Sequence, residues 1–77
     1  MDFLDIAVRC FAPLAKYAPA DGRARLAAPG TAGELVRALG IPAGEVAVIF
    51  VNGEQAAEAS ALRDGDRVDL FPVVGGG

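Results

Sequence analysis

The chain has 77 residues, with no histidine, no tryptophan, one methionine and one cysteine. Each shortage removes a class of function. Without histidine, the side chain most used for acid–base catalysis near neutral pH, and a frequent zinc ligand, is missing. With Cys10 alone there is no disulfide framework, which fits a reducing, cytoplasmic setting. Cys10 sits in an alternating apolar pattern, Arg9-Cys10-Phe11, where an inert buried thiol is expected rather than a nucleophile. No His/Cys/Asp cluster has metal-ligand spacing, so no metal site is expected. No run approaches the ~18–20 apolar residues of a membrane span, and no basic segment precedes an apolar one. No basic patch or arginine stripe appears along the chain, so neither membrane nor nucleic acid is an expected partner. The carboxylates are scattered among turns and exposed positions. No positioned base, acid or metal can be named, and an enzyme needs one.

What is present is enough for one small domain. Apolar residues make up 53% of the chain, the net charge is −3 and the pI is about 4.6. A chain of this length buries only about 60–65% of its unfolded surface, so a single core must suffice.

Residues 5–11 alternate Ile6, Val8 and Cys10 against Ala7, Arg9 and Phe11, which predicts a first strand with the Ile6 set inward. Phe11 then faces outward beside Arg9. Pro13 and Pro19 bracket at most one helical turn plus loop. Asp21-Gly22 marks a two-residue hairpin turn or a longer loop, followed by a second strand over 23–28. Thr31 with Glu34 three residues later forms a capping box, which starts a short helix over 32–39 carrying Leu35, Val36 and Leu39 on one stripe. Gly40 and Ile41-Pro42 end it. The β-branched run 45–51 predicts a strand buried on both faces. Asn52-Gly53 turns the chain into a brief return strand, 54–56, and residues 57–62 are expected as loop with Leu62 tucked inward. A turn over Arg63-Asp64-Gly65-Asp66 leads to a last strand, 67–73, with Val68 and Leu70 on one face and Asp69 and Phe71 on the other. Pro72 lacks an amide donor and marks where pairing weakens.

This order describes an α+β fold: a mixed sheet of four to five strands with one main helix on one face, the β-grasp or ubiquitin-like arrangement. The expected division is a β-grasp domain over 1–73 and a flexible glycine-rich tail over 74–77, Val74-Gly75-Gly76-Gly77. Glycine-rich ends are often linkers. They also suit a narrow channel, since glycine has no Cβ and leaves a terminal carboxyl carbon open to attack.

Five stretches occur together in order: Thr31-Ala32-Gly33-Glu34-Leu35; Leu39-Gly40-Ile41-Pro42; Val51-Asn52-Gly53; Leu62-Arg63-Asp64-Gly65-Asp66-Arg67-Val68; and Phe71-Pro72 running into terminal glycines. With them, the whole chain resembles the MoaD/ThiS family of ubiquitin-like sulfur-carrier proteins. The Phe71-Pro72 approach looks more like MoaD, the small subunit of molybdopterin synthase. It departs at Val73, where the MoaD tail usually has a second proline, and at Gly75, where it has another small residue.

The resemblance implies that a ubiquitin-activating-type adenylating enzyme (MoeB/ThiF-like) uses ATP to adenylate Gly77. A sulfur donor then displaces AMP to leave a thiocarboxylate, with Gly76 part of the functional pair. The chain itself binds no cofactor. The sulfur passes to a partner, the molybdopterin synthase large subunit (MoaE-like) or another synthase. Phe11, Phe71, Pro72, Val73, Val74 and Gly75 are the expected partner-binding residues, with Arg9 and Arg67 as rim charges. Three readings stay open: a sulfur carrier for molybdenum or tungsten cofactor, thiamine, cysteine or another pathway; a ubiquitin-like modifier joined to lysines; and a binding module with incidental glycines.

Overall fold

The computed structural model describes residues 2–42 and 44–73. Alternation puts Leu4, Ile6 and Val8 inward along β1, Phe3–Cys10, which begins two residues earlier than expected. The chain leaves β1 through Phe11 and Ala12, the latter at φ +53°, into a 3-10 helix over Ala12–Tyr17. That element is longer than one turn because Leu14 is buried at 1% exposure and anchors it to the core. The return to β2, Arg23–Ala27, is therefore a long connection rather than a two-residue hairpin.

β3, Gly30–Thr31, precedes α1, Ala32–Ala38. The capping box forms as the residue types dictate. The Glu34 amide donates to Thr31 Oγ1 at 3.2 Å and the Thr31 amide donates to Glu34 Oε1 at 3.0 Å. Replacing Thr31 with alanine is expected to cost about 0.5–2 kcal/mol, read as a lower denaturation midpoint at unchanged m-value. Gly33 sits at a close approach: a Cβ there would meet the Glu58 Cβ at 3.1 Å and its carbonyl oxygen at 3.2 Å, so a larger residue needs Glu58 to shift.

Then come β4, Val46–Val51, β5, Glu54–Ala56, β6, Ala61–Leu62, and β7, Arg67–Pro72. Asn52 and Gly53 turn β4 into β5 with φ of +53° and +84°, the left-handed pair that a tight hairpin demands. Two further points differ from expectation. Residues 61–62 are not loop but pair with β3 as a two-stranded ribbon, which fixes Leu62 inward at 6% exposure. β4 is not buried on both faces: Val48 and Phe50 are half-exposed and Ala47 exposed, because among the described residues no element covers the sheet on that side.

The main sheet has the order β2-β1-β7-β4-β5, with β1 and β7 parallel and every other pair antiparallel. One helix, α1, packs on one face; Ile6, Leu35, Val68 and Leu70 form the fully buried centre between them. The opposite face is open, and the site is built there.

Candidate functional site: the open sheet face beside the tail

Period-two geometry places Arg9, Asp69, Phe71, Val48 and Phe50 on the open face. Strand pairing then decides who meets whom. Arg9 lies opposite Asp69, Phe50 opposite Asp69 on the other side, and Val48 opposite Phe71. Phe11, just past the end of β1, is held by its amide donating to the Leu70 carbonyl at 3.1 Å. Its ring stacks on Phe71 with centroids 4.5 Å apart and planes 1° from parallel. Phe50 meets Phe71 edge-on at 5.6 Å. The result is a half-exposed three-ring patch, the kind of rigid apolar surface that anchors interfaces.

Arg9 closes over this patch. Its guanidinium lies 5.5 Å from the Phe11 ring centre and grips Asp69 with two hydrogen bonds, Nε to Oδ1 at 2.8 Å and Nη2 to Oδ2 at 2.9 Å. Arg9 is thus no loose rim charge but one half of a bidentate pair. Asp69 is 7% exposed, yet its carboxyl is held below the usual range. The Arg9 hydrogen bonds are the main cause, with the charges of Arg9 and Arg67 adding to them, while burial opposes the shift. A depressed carboxylate contributes stability that is present above its unfolded pKa, about 4, and is lost as pH falls through the lower folded value. Asp69→Asn is therefore expected to lower the melting temperature at pH 6. The gap between variant and native protein should close below about pH 4. A gap that stays constant from pH 6 to acid would show that the pair contributes no pH-dependent stability.

The last described residues of β7 reach the same corner. β7 runs to Pro72, which pairs with Val46 through a bulge at Ala47, and the Val73 amide donates to the Glu45 carbonyl at 3.2 Å. The Tyr17 hydroxyl reaches Glu45 Oε1 at 3.3 Å, so the 3-10 helix closes the same corner. Val73 is 58% exposed. Val74, Gly75, Gly76 and Gly77 lie outside the described residues. Cys10 is half-buried on the core side, and burial pushes its thiol up, away from nucleophilic character.

Of the expected docking residues, Phe11, Phe71, Pro72 and Val73 are brought to one corner of the sheet. The sequence reading missed Phe50 and the role of Asp69. Both could be found only once β4 and β1 were set in register against β7. A groove of about 290 Å³ runs along the β4–β5 edge on the helix side, lined by Val36, Ile41, Val46, Ile49 and Ala56 among others.

The two turn motifs also meet. Asn52 Nδ2 donates to Asp66 Oδ1 at 2.9 Å, and Asn52 Oδ1 accepts from the Arg67 amide at 2.9 Å. Asp66 Oδ2 accepts from the Arg63 amide at 2.8 Å. Asn52-Gly53 and Asp64-Gly65-Asp66 are one hydrogen-bonded corner at the opposite end of β7 from the tail.

A mixed five-stranded sheet with one helix on one face and its last strand in the middle is a ubiquitin-like β-grasp domain. The chain belongs to the ThiS family, whose profile matches residues 8–77. No curated protein matches it in sequence. Among solved structures it is similar to the Haloferax volcanii HVO 2177 protein, at 26% identity and TM-score 0.75 over 97% of this chain and 88% of that one. It is also similar to small archaeal modifier protein 1 of the same organism, at 26% identity and TM-score 0.69 over 92% of this chain and 99% of that one. A third similarity is to a complex of subunits 1 and 2 of the molybdopterin-converting factor of Helicobacter pylori. It stands at 26% identity and TM-score 0.57, over 96% of this chain and 100% of that one. The chain is thus of the ThiS/MoaD-like sulfur-carrier or ubiquitin-like modifier kind. Among the described residues, no helix is long and apolar enough to cross a membrane.

Proposed function

We propose that this chain is a sulfur carrier whose Gly77 carboxylate is the reactive group. The observation that carries this reading is the extent of the family match, which runs through the terminal glycines to residue 77. A carboxylate is a poor electrophile until one oxygen becomes a good leaving group. Attack of a Gly77 oxygen on the α-phosphorus of ATP releases pyrophosphate and leaves an acyl-adenylate. A sulfide-level donor then adds to the acyl carbon and expels AMP, leaving a thiocarboxylate. All of this takes place on an adenylating partner of the ubiquitin-activating type. The chain supplies the arm and, through Phe11, Phe50 and Phe71, the surface by which it is held.

The acceptor in this proposal is a synthase large subunit that makes molybdopterin. The support is the likeness to a chain in the Helicobacter pylori complex of subunits 1 and 2 of the molybdopterin-converting factor. The compartment is cytoplasmic, where ATP is available. The test is intact mass after incubation with the adenylating enzyme of the same genome, ATP and a sulfide source. The mass should rise by the difference between sulfur and oxygen, about 16 Da. An unchanged mass with a demonstrably active enzyme sinks the reading. A second reading, conjugation to lysines, is favoured by the likeness to small archaeal modifier protein 1. It requires lysine-linked adducts in cell extract.

A further inference from the structure

The sequence shows no basic run, yet strand pairing collects positive charge. Arg23 and Arg25 on β2, Arg9 on β1 and Arg67 on β7 all take outward parity and share the open face. These are four of the chain's six arginines, and the same face carries two acids, Asp5 and Asp69. Asp69 is taken up by Arg9, while Asp5 lies 3.9 Å from Arg25, which also covers Phe3 at 5.2 Å. A surplus of two positive charges therefore sits on one face of a chain whose formal charge is −3.

The surplus is localised. Ala7 pairs with Arg23 on one side and with Arg67 on the other. Two strand spacings put these arginines about 10 Å apart across a methyl group. Among the described residues neither has an ion-pair partner, although the Asp21 carboxylate accepts the Arg23 backbone amide at 3.0 Å. Two outward-facing arginines that flank a small residue leave a fork-shaped opening in which a carboxylate gains from both charges. Arg67 is four residues from Phe71 along β7, so the fork lies about 13 Å from the aromatic patch on one continuous surface.

We propose that the open face docks on an acidic protein surface, with partner carboxylates seated between Arg23 and Arg67 over Ala7 and an apolar group on the Phe11–Phe71–Phe50 patch. This rests on the carrier reading and names the chemistry of the partner that receives the arm. A surplus of two charges is too small for the six to ten phosphate contacts typical of nucleic-acid binding. A second copy docking by the same face would meet it with a like-charged one.

The experiment is calorimetry of the full chain with the adenylating enzyme of the same genome, at about 50 and about 300 mM salt, where screening differs strongly. R23E/R67E is expected to bind about tenfold or more weakly than the native chain and to lose most of the salt dependence. R37E, on the helix, should bind as the native chain does. Circular dichroism checks folding, and R23Q/R67Q replaces the double reversal if that variant is unfolded. Equal affinity of the folded charge variant overturns the proposal. So does a salt-sensitive dimer in sedimentation, or tighter binding to a short single-stranded oligonucleotide than to the enzyme. The mass assay separates the two levels. If R23E/R67E gains sulfur at the native rate, only the acidic-surface proposal fails. If the native chain neither binds the enzyme nor gains sulfur, the carrier reading fails and takes the proposal with it.

Discussion

Deletion of Gly77 is expected to abolish the gain of sulfur completely and to leave the melting temperature unchanged. The truncated chain still ends in a carboxylate, on Gly76, so the loss is one of reach. One residue spans at most about 3.6 Å, and displacement of a reacting atom by even 1 Å can cost two orders of magnitude in rate. The stability half follows from where the core is. Its buried residues run from Leu4 to Leu70, and the last backbone bond of β7 in the described residues is that of Val73 to Glu45. Intact mass and a thermal melt on the same preparation decide both halves. A truncated chain that still gains sulfur, or one that melts many degrees lower, contradicts the free-arm picture.

The second large effect is in the core. Leu70 is fully buried at the middle of the central strand, paired to Cys10 on one side and Ile49 on the other. Leu70→Ala is expected to cost about 2–5 kcal/mol through lost burial and the cavity left behind. A 77-residue domain has about 4–12 kcal/mol in total. Even the lower bound should lower the melting temperature by roughly 8–16 °C, and the upper bound exceeds the low end of that total, where the variant would be largely unfolded at room temperature. Urea unfolding followed by circular dichroism measures it. A loss below about 1 kcal/mol would mean that Ile6, Leu35 and Val68 can close over the vacated space. The same variant separates core stability from the open face, because Leu70 faces the helix while Phe71, one residue on, faces the open side of the sheet.

The elements were largely legible in the sequence because their signals are local. A capping box needs only Thr31 and Glu34, and a tight turn only Asn52-Gly53, so both could be read from neighbours in the chain. The alternation of Ile6, Val8 and Cys10 already separates the inward from the outward face of β1. Elements whose stability is not local were harder to see. The 3-10 helix outran its one expected turn because Leu14 found a core to enter. Residues 61–62 became a strand only because Gly30 and Thr31 lay opposite them.

For the site, the sequence by itself determined the glycine tail, the Phe71-Pro72 approach and the outward parity of Phe11, since each depends on a residue's own type or its neighbour's. Only the tertiary structure decided the rest. Arg9 and Asp69 are 60 residues apart, and so are Ala7 and Arg67, yet parallel pairing of β1 with β7 makes each pair adjacent. Phe50 joined the aromatic patch through the register of β4, and Arg23 reached the other side of Ala7 through that of β2. A register shift of one residue would turn every one of these side chains to the opposite face. The register is set by burial of the inward residues of β1, β7 and β4. The packing of the core thus decides which charges and rings stand together on the side the core does not touch.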